Sequence, residues 1–351
     1  MKLPIQKYSA SSFCGLCNDT LKDNNKNLQI ITIFLNDELD SIYEKLEENE
    51  FIIDNSSFGE IIHFSKIYQL HKENREVDYY LLRHSKYKEI YFIFTFNGIS
   101  DLYRTLFGII DNIPNVYYLW LPPSYFDNLK DIILKIEGSY MTYFHGKKVD
   151  MGKQECKRPM FYRDIEYTGD DAKTAFEEMR FVYGVLPQAI EFVIPNSFKF
   201  KINKRGYYTL YYGKVEDFLN NIIERFIEMV IKDNQEMESA KIDIKKENGR
   251  EILETKQVIF EIEKDISFEE FREFLTVMEK NNFSVYNTKL EEGSVIFSSN
   301  VVDEQKGNIF SMTSDGKRFT IIPKYKSSFV SIVRFHRFLT EKIDQLTKII
   351  Y

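Results

Sequence analysis

Apolar and polar positions along the chain follow two periods in turn. Leu28–Leu35 (LQIITIFL) is an unbroken run rich in β-branched residues, the pattern of a strand buried on both faces. Leu39, Ile42, Tyr43 and Leu46 then fall three and four residues apart, which predicts a helix capped by Asn36 or Asp37 and reaching about Glu48. Extended segments follow near Phe51–Asp54, Glu60–Ser65, Val77–Arg83 and Glu89–Phe96, before a helix at about Ser100–Ile113 that stops at Pro114. The order is β-α-ββββ-α. The last third repeats it. A strand at Gln257–Glu263 leads to a helix that Ser267 caps, with Glu270 three residues on completing a capping box. Strands near Phe283–Tyr286, Ser294–Ser298, Asn308–Met312 and Arg318–Ile322 precede a last helix at about Ser327–Ile349.

Between these thirds the order is less regular. Asn115–Leu121 reads as a strand, Pro122 and Pro123 open a helix to about Glu137, and Ser139–Phe144 reads as a further strand. Phe161–Tyr167, a helix at Asp170–Val182, strands at Ala189–Ile194, Lys199–Ile202 and Tyr207–Tyr212, and a helix at Lys214–Lys232 complete the middle. The pattern predicts an α+β protein of two or three repeated β-α-β3–4-α units, each an antiparallel sheet covered by helices. The expected division is a polar, turn-prone segment at 1–27, a first unit at 28–114, and a middle α/β region with a looser unit at 115–232. A charged linker at 233–256 and a last unit at 257–351 complete it.

Three stretches carry the repeat: Tyr79–Ile110, Phe198–Val230 and Asn308–Leu339, each a hairpin followed by an amphipathic helix. Phe198–Val230 shows why such a helix needs a sheet. Val215, Phe218, Leu219, Ile222, Ile223, Phe226, Ile227 and Val230 form one apolar face. A strand, a short helix, four antiparallel strands and a closing helix resemble the plan of one half of the TATA-binding protein. The likeness covers Leu28–Ile113 and Gln257–Ile349, and Phe161–Lys232 loosely. It implies concave sheets that grip a duplex or, in relatives of that family, a protein. The family's wedging phenylalanines and its groove-reading Asn and Thr match no positions here, so no residue is carried over, and the likeness concerns fold.

Composition narrows the classes. Of 351 residues, 43% are hydrophobic and 29% charged, as expected of an ordinary globular chain. The formal charge of −7 excludes a nucleic-acid surface spread over the whole molecule, though not a local basic face. No basic segment followed by an apolar one opens the sequence, and the longest apolar runs, such as Ile90–Phe94, are strand-sized. A cytoplasmic protein with no membrane span is expected, and three cysteines make no disulfide framework.

Candidate chemistry concentrates in the hairpin Phe198–Lys214. Alternation sends Lys199, Lys201 and Asn203 to one face, and Lys204 and Arg205 follow in the turn beside Tyr207, Tyr208, Tyr211 and Tyr212. Cations to neutralise phosphates beside rings to stack on bases are what single-strand binding uses, so Lys199, Lys201, Lys204, Arg205, Tyr207 and Tyr211 form the candidate nucleic-acid site. The plainer reading is lysine guarding a solvated sheet. Lys147, Lys148, Lys153, Lys157 and Arg158 would extend such a patch. Cys14 and Cys17, with Cys156 and His145, would make a Cys₃His zinc site. Asp243, Glu254 and Lys256 have the acid–acid–lysine order of a metal-dependent nuclease, inside a charged stretch where such spacing arises by chance. No phosphate-binding loop, GxGxxG or GxSxG is present. The expected function is therefore a non-catalytic interaction protein that binds nucleic acid. The alternatives are a protein-binding subunit of a larger complex and a diverged nuclease.

Overall fold

Two antiparallel sheets carry the chain. The computed structural model describes residues 2–24, 26–35, 39–148, 156–158, 162–240, 242–247, 250–263, 265–291, 297–324 and 328–350. The expected cap at Asn36 or Asp37, and Lys153 and Ser327, lie outside them.

The first sheet is built from β1 (Leu28–Leu35), β2 (Ile52–Asp54), β3 (Ile62–Leu70), β4 (Glu73–Arg83), β5 (Ile90–Thr95), β6 (Val116–Tyr118), β7 (Tyr140–Lys148), β8 (Arg163–Thr168), β9 (Leu186–Ile194), β10 (Phe198–Asn203) and β11 (Tyr207–Tyr212). A hairpin of β12 (Ile242–Glu247) and β13 (Arg250–Thr255) follows. The second sheet comprises β14 (Val258–Glu261), β15 (Phe283–Leu290), β16 (Phe297–Asp303), β17 (Asn308–Ser314), β18 (Arg318–Pro323) and β19 (Lys348–Ile350). The first runs β2-β3-β4-β5-β1-β11-β10-β9-β7-β8, with β6 also on β1; the second runs β15-β16-β17-β18-β14-β19. In both, the strand that comes first in sequence returns beside the hairpin that comes last.

The helices are α1 (Ala10–Asn24), α2 (Asp40–Glu48), α3 (Ile99–Thr105), α4 (Phe107–Asn112), α5 (Pro123–Ile133), α6 (Ala172–Tyr183), α7 (Val215–Phe218), α8 (Glu224–Ser239), α9 (Phe268–Glu279) and α10 (Val330–Phe338). Wide π-turns, at Leu219–Ile223 and Leu339–Ile343, join α7 to α8 and extend α10. The capping box at Ser267 and Glu270 forms as the sequence predicts.

The domain division changes in three places. Residues 1–27 contain α1, whose Phe13, Cys14, Cys17 and Leu21 recur at helical spacing and are buried. The boundary near 114 is bridged: β1 pairs β11 from Leu28↔Leu210 to Ile31↔Tyr207, so the first unit and the middle region share one sheet. Residues 233–256, expected as a linker, hold the end of α8 and the β12–β13 hairpin, and Asn234 and Met237 of α8 are buried. The last helical stretch ends at Ile343 and the chain adds β19 to β14.

One hydrophobic core runs through both sheets, from Leu3 and Phe13 under the first to Phe335 and Ile343 under the second. A second core lies on the other face of β1–β5, beneath α2, α3 and α4. Tyr117 meets Phe329, and Trp120 meets His336, where the two sheets join.

Candidate functional site: the cleft between the sheets

The turn between β10 and β11 is fixed by backbone on both sides. Lys204 N–H donates to Gln188 O at 2.9 Å, and its carbonyl accepts from Leu121 N–H at 2.7 Å. Gly206 O accepts from Thr32 N–H at 3.1 Å. Gly206 has φ +66°, and a Cβ there would lie 2.0 Å from Leu119 O, so only glycine fits. The turn therefore presents Lys204 and Arg205 at one place, against the last helix of the second sheet.

Two cavities meet there. One, of about 330 Å³, is lined among the described residues by six cations, Arg205, Lys280, Lys306, Arg334, Arg337 and Lys342, against two carboxylates, Asp111 and Glu341. The other, of about 440 Å³, lies beyond a wall of Trp120, Glu341 and Lys342 that both share. Glu341 and Lys342 sit in the π-turn that extends α10. Such turns are rare and collect at functional sites.

The cations differ in how they are held. Lys306 Nζ donates to the carbonyls of Asp111, Ile113 and Val116 at 2.8, 2.6 and 2.9 Å, an ammonium on the negative end of α4. Burial lowers it to about 8. Arg334 pairs with Asp303, whose burial is complete; burial first, then repulsion from Arg337, brings the guanidinium down to about 10. Glu341 Oε1 accepts from Lys204 Nζ at 3.1 Å and Arg337 Nε at 3.2 Å. Burial alone would raise its carboxyl, yet Arg337 and Lys204 overcome that and hold it at about 2. Burial lowers Lys204, and Arg337 and Arg205 repel it further. Arg205, Lys280 and Lys342 form no ion pair among the described residues, and Arg205 rests over the Tyr103 ring.

The six residues picked from the hairpin are thus divided. Lys204 and Arg205 enter the cleft. Lys199 pairs with Glu191 at 3.2 Å, and Lys201 stands 3.5 Å above the Tyr143 ring, lowered by burial and surrounded by Glu166 and Glu191. Tyr211 lies beneath the Lys199 ammonium, and burial and Glu191 hold its hydroxyl protonated. Tyr207 packs on Phe107 beside the cleft. On this sheet face the two lysines are thus already engaged, Lys199 by a carboxylate and Lys201 by an aromatic ring near two carboxylates. Of the further basic cluster, Lys147 pairs with Asp164, and Lys157 and Arg158 lie over Phe181 and Tyr183.

The zinc set does not assemble. Cys14 and Cys17 lie buried in α1, and burial raises both thiols, Cys14 to about 11, which disfavours the thiolate a metal needs. His145 is engaged by Asp164, and Cys156 Sγ lies 3.4 Å from Lys148 Nζ. No group of three or more His, Cys, Asp or Glu side chains clusters to hold an ion among the described residues. Asp243 sits opposite Glu254 in the β12–β13 register.

Sequence reasoning missed Arg334, Arg337 and Lys342, because charges on the polar side of a helix carry no signal of what they will face, and a pair four apart such as Arg337 and Glu341 is equally at home on an exposed surface. Nothing local in the sequence marks Lys280 or Lys306.

At the level of class, the family AF_0896_M, described as a family middle domain, matches residues 126–205, from within α5 to the turn bearing Lys204 and Arg205. Over its length the chain is similar to an uncharacterized protein of Archaeoglobus fulgidus, 24% identical over 320 residues, with 84% of this chain and 85% of that protein covered. A match of that extent takes in strands of both sheets. No helix among the described residues is long and apolar enough to cross a membrane.

Proposed function

We propose that this is a non-catalytic binding protein whose inter-sheet cleft takes the phosphates of a nucleic-acid strand. One observation carries the reading: in a chain of formal charge −7, Arg205, Lys280 and Lys342 converge from three elements without carboxylate partners among the described residues. Behind them Arg334 and Arg337 repel one another. An anion placed among these groups relieves that repulsion, and Arg presents a planar fork to phosphate oxygens. A cavity of about 330 Å³ is the size of one or two phosphate-bearing units of a single strand, so a single strand is expected to bind in preference to a duplex.

The test is fluorescence anisotropy with labelled single-stranded and duplex oligonucleotides at two salt concentrations. Single-strand affinity should fall with salt, with a slope of log K against log salt of about −2 if three phosphates are neutralised. Arg205→Glu with Lys342→Glu should abolish binding, and Lys199→Glu should leave it. Absence of binding at low salt overturns the proposal.

A second reading, a protein-binding subunit of an assembly, is supported by the half-exposed face of β7 and β9–β11, where Tyr143, Tyr211, Lys199, Lys201 and Glu191 contact one another. Under it, charge reversal at Lys201 disrupts complex formation and reversal at Arg205 does not.

A further inference from the structure

We infer that a strand held in the cleft continues over an aromatic and basic patch at the outer edge of the first sheet, where its bases stack on Tyr162 and Phe181. This rests on the phosphate reading above. The second cavity shares Trp120, Glu341 and Lys342 with the cationic one and is lined in turn by Lys147 and Tyr162. Its charged lining, Lys147, Lys204 and Lys342 against Glu273 and Glu341, makes it a polar passage with a small cationic excess. Tyr162 is where the patch begins. Lys147 Nζ lies 5.4 Å from the centre of its ring. Arg163, which opens the outermost strand β8, donates from Nη1 to Tyr162 O at 2.8 Å.

From there cations and rings interleave. Arg163 and Arg158 both lie over the Tyr183 ring, 4.8 and 5.6 Å from its centre, and Lys157 lies over Phe181 at 4.7 Å. Backbone holds this arrangement: Lys157 N–H donates to Phe181 O at 3.3 Å and Arg158 N–H to Val182 O at 3.0 Å. Burial does not account for the rings, since Phe181 is 63% exposed and Tyr162 46%. Apolar groups gathered on a surface mark an interaction site. Charge selects the partner. Lys147 is matched by Asp164, but Lys157 and Arg158 form no ion pair among the described residues, which favours an anionic partner over an apolar protein face. Cations that track a backbone beside rings that stack on bases are the make-up of a single-strand surface. Glu177 and Glu178 stand one turn before Phe181 on α6 and weaken the field there, so the gain comes from the rings more than from charge.

The test is fluorescence anisotropy at low salt with oligothymidylates of about four and about twelve nucleotides, lengths within the span of single-strand sites, and an abasic strand of the longer length. The longer strand should bind about tenfold or more tightly than the shorter, and the abasic strand should lose most of that gain. Tyr162→Ala with Phe181→Ala, truncations at exposed positions that leave the core untouched, should weaken the longer strand about fivefold or more and leave the shorter one unchanged. Arg205→Glu should weaken both. Wild-type affinity indifferent to length or to the bases, or a double variant that binds the longer strand as tightly as the wild type, overturns the patch, leaves its rings to a protein partner and lets the cleft reading stand. A double variant that loses the shorter strand as well also overturns it, since the rings would then act within the cleft. Failure of every strand to bind overturns both readings.

Discussion

Single residues set the tolerances of the cleft. Gly206 lets the hairpin turn meet Leu119 backbone to backbone. Gly206→Ala adds a Cβ at 2.0 Å from a carbonyl oxygen in a left-handed conformation, and should cost about 2–4 kcal/mol of stability by denaturant titration. Gly108, inside α4 with nothing within 4 Å of a built Cβ, is the control: Gly108→Ala should stabilise by about 0.5–1 kcal/mol. Acid acts on two other residues. Burial lowers His336 from 6.5 to about 4, so between those values the unfolded chain takes up the proton first and stability falls as pH falls. Glu341, ordinarily at 4.5 and here at about 2, contributes stability above pH 4.5 that is lost progressively toward pH 2. Each is worth about 3 kcal/mol. Melting temperature measured from pH 7 to 3 should therefore decline in two overlapping stages. His336→Phe, which keeps a ring on Phe260, should flatten the first; an unchanged profile would refute the assignment.

Elements bring these residues together. The β10–β11 turn offers Lys204 and Arg205, and the π-turn after α10 answers with Glu341, to which Lys204 and Arg337 both donate. The turn between β16 and β17 supplies Lys306, which caps the end of α4 and docks the second sheet onto the first. Lys306→Met keeps the side-chain length and removes the ammonium. Three buried carbonyls then lose their donor, and the protein should be destabilised by about 2–4 kcal/mol. A loss below 0.5 kcal/mol would show that solvent replaces the ammonium and that docking rests on the apolar contacts.

At the scale of the molecule, one core under two sheets makes folding a joint event. Far-ultraviolet circular dichroism, which reads both sheets, and Trp120 fluorescence, which reads their junction, should give coincident thermal transitions. Two resolved transitions would mean that the sheets fold separately and that the cleft closes afterwards. The acidic excess of the whole chain makes the cleft conspicuous: background charge repels polyanions, so on the proposed reading binding confined to the cleft should be less salt-sensitive and more specific than binding to a uniformly basic surface, its salt slope set by the few phosphates neutralised.

The sequence by itself determined the local elements. The run Leu28–Leu35, the periodic face Val215–Val230 and the Ser267–Glu270 box each obey a rule that operates within a few residues, and each formed where expected. Phe13, Cys17 and Leu21 carried the same helical signal for α1, obscured by the polar residues between them. Tertiary structure alone decided that β1 lies beside β11, that Glu191 neutralises Lys199, and that Arg205 faces Arg337 across a cleft. Hydrophobic periodicity fixes which face of an element is buried. It is silent on which buried face meets which, and the charge of a site is settled only when distant elements meet and their carboxylates and cations pair or are left over.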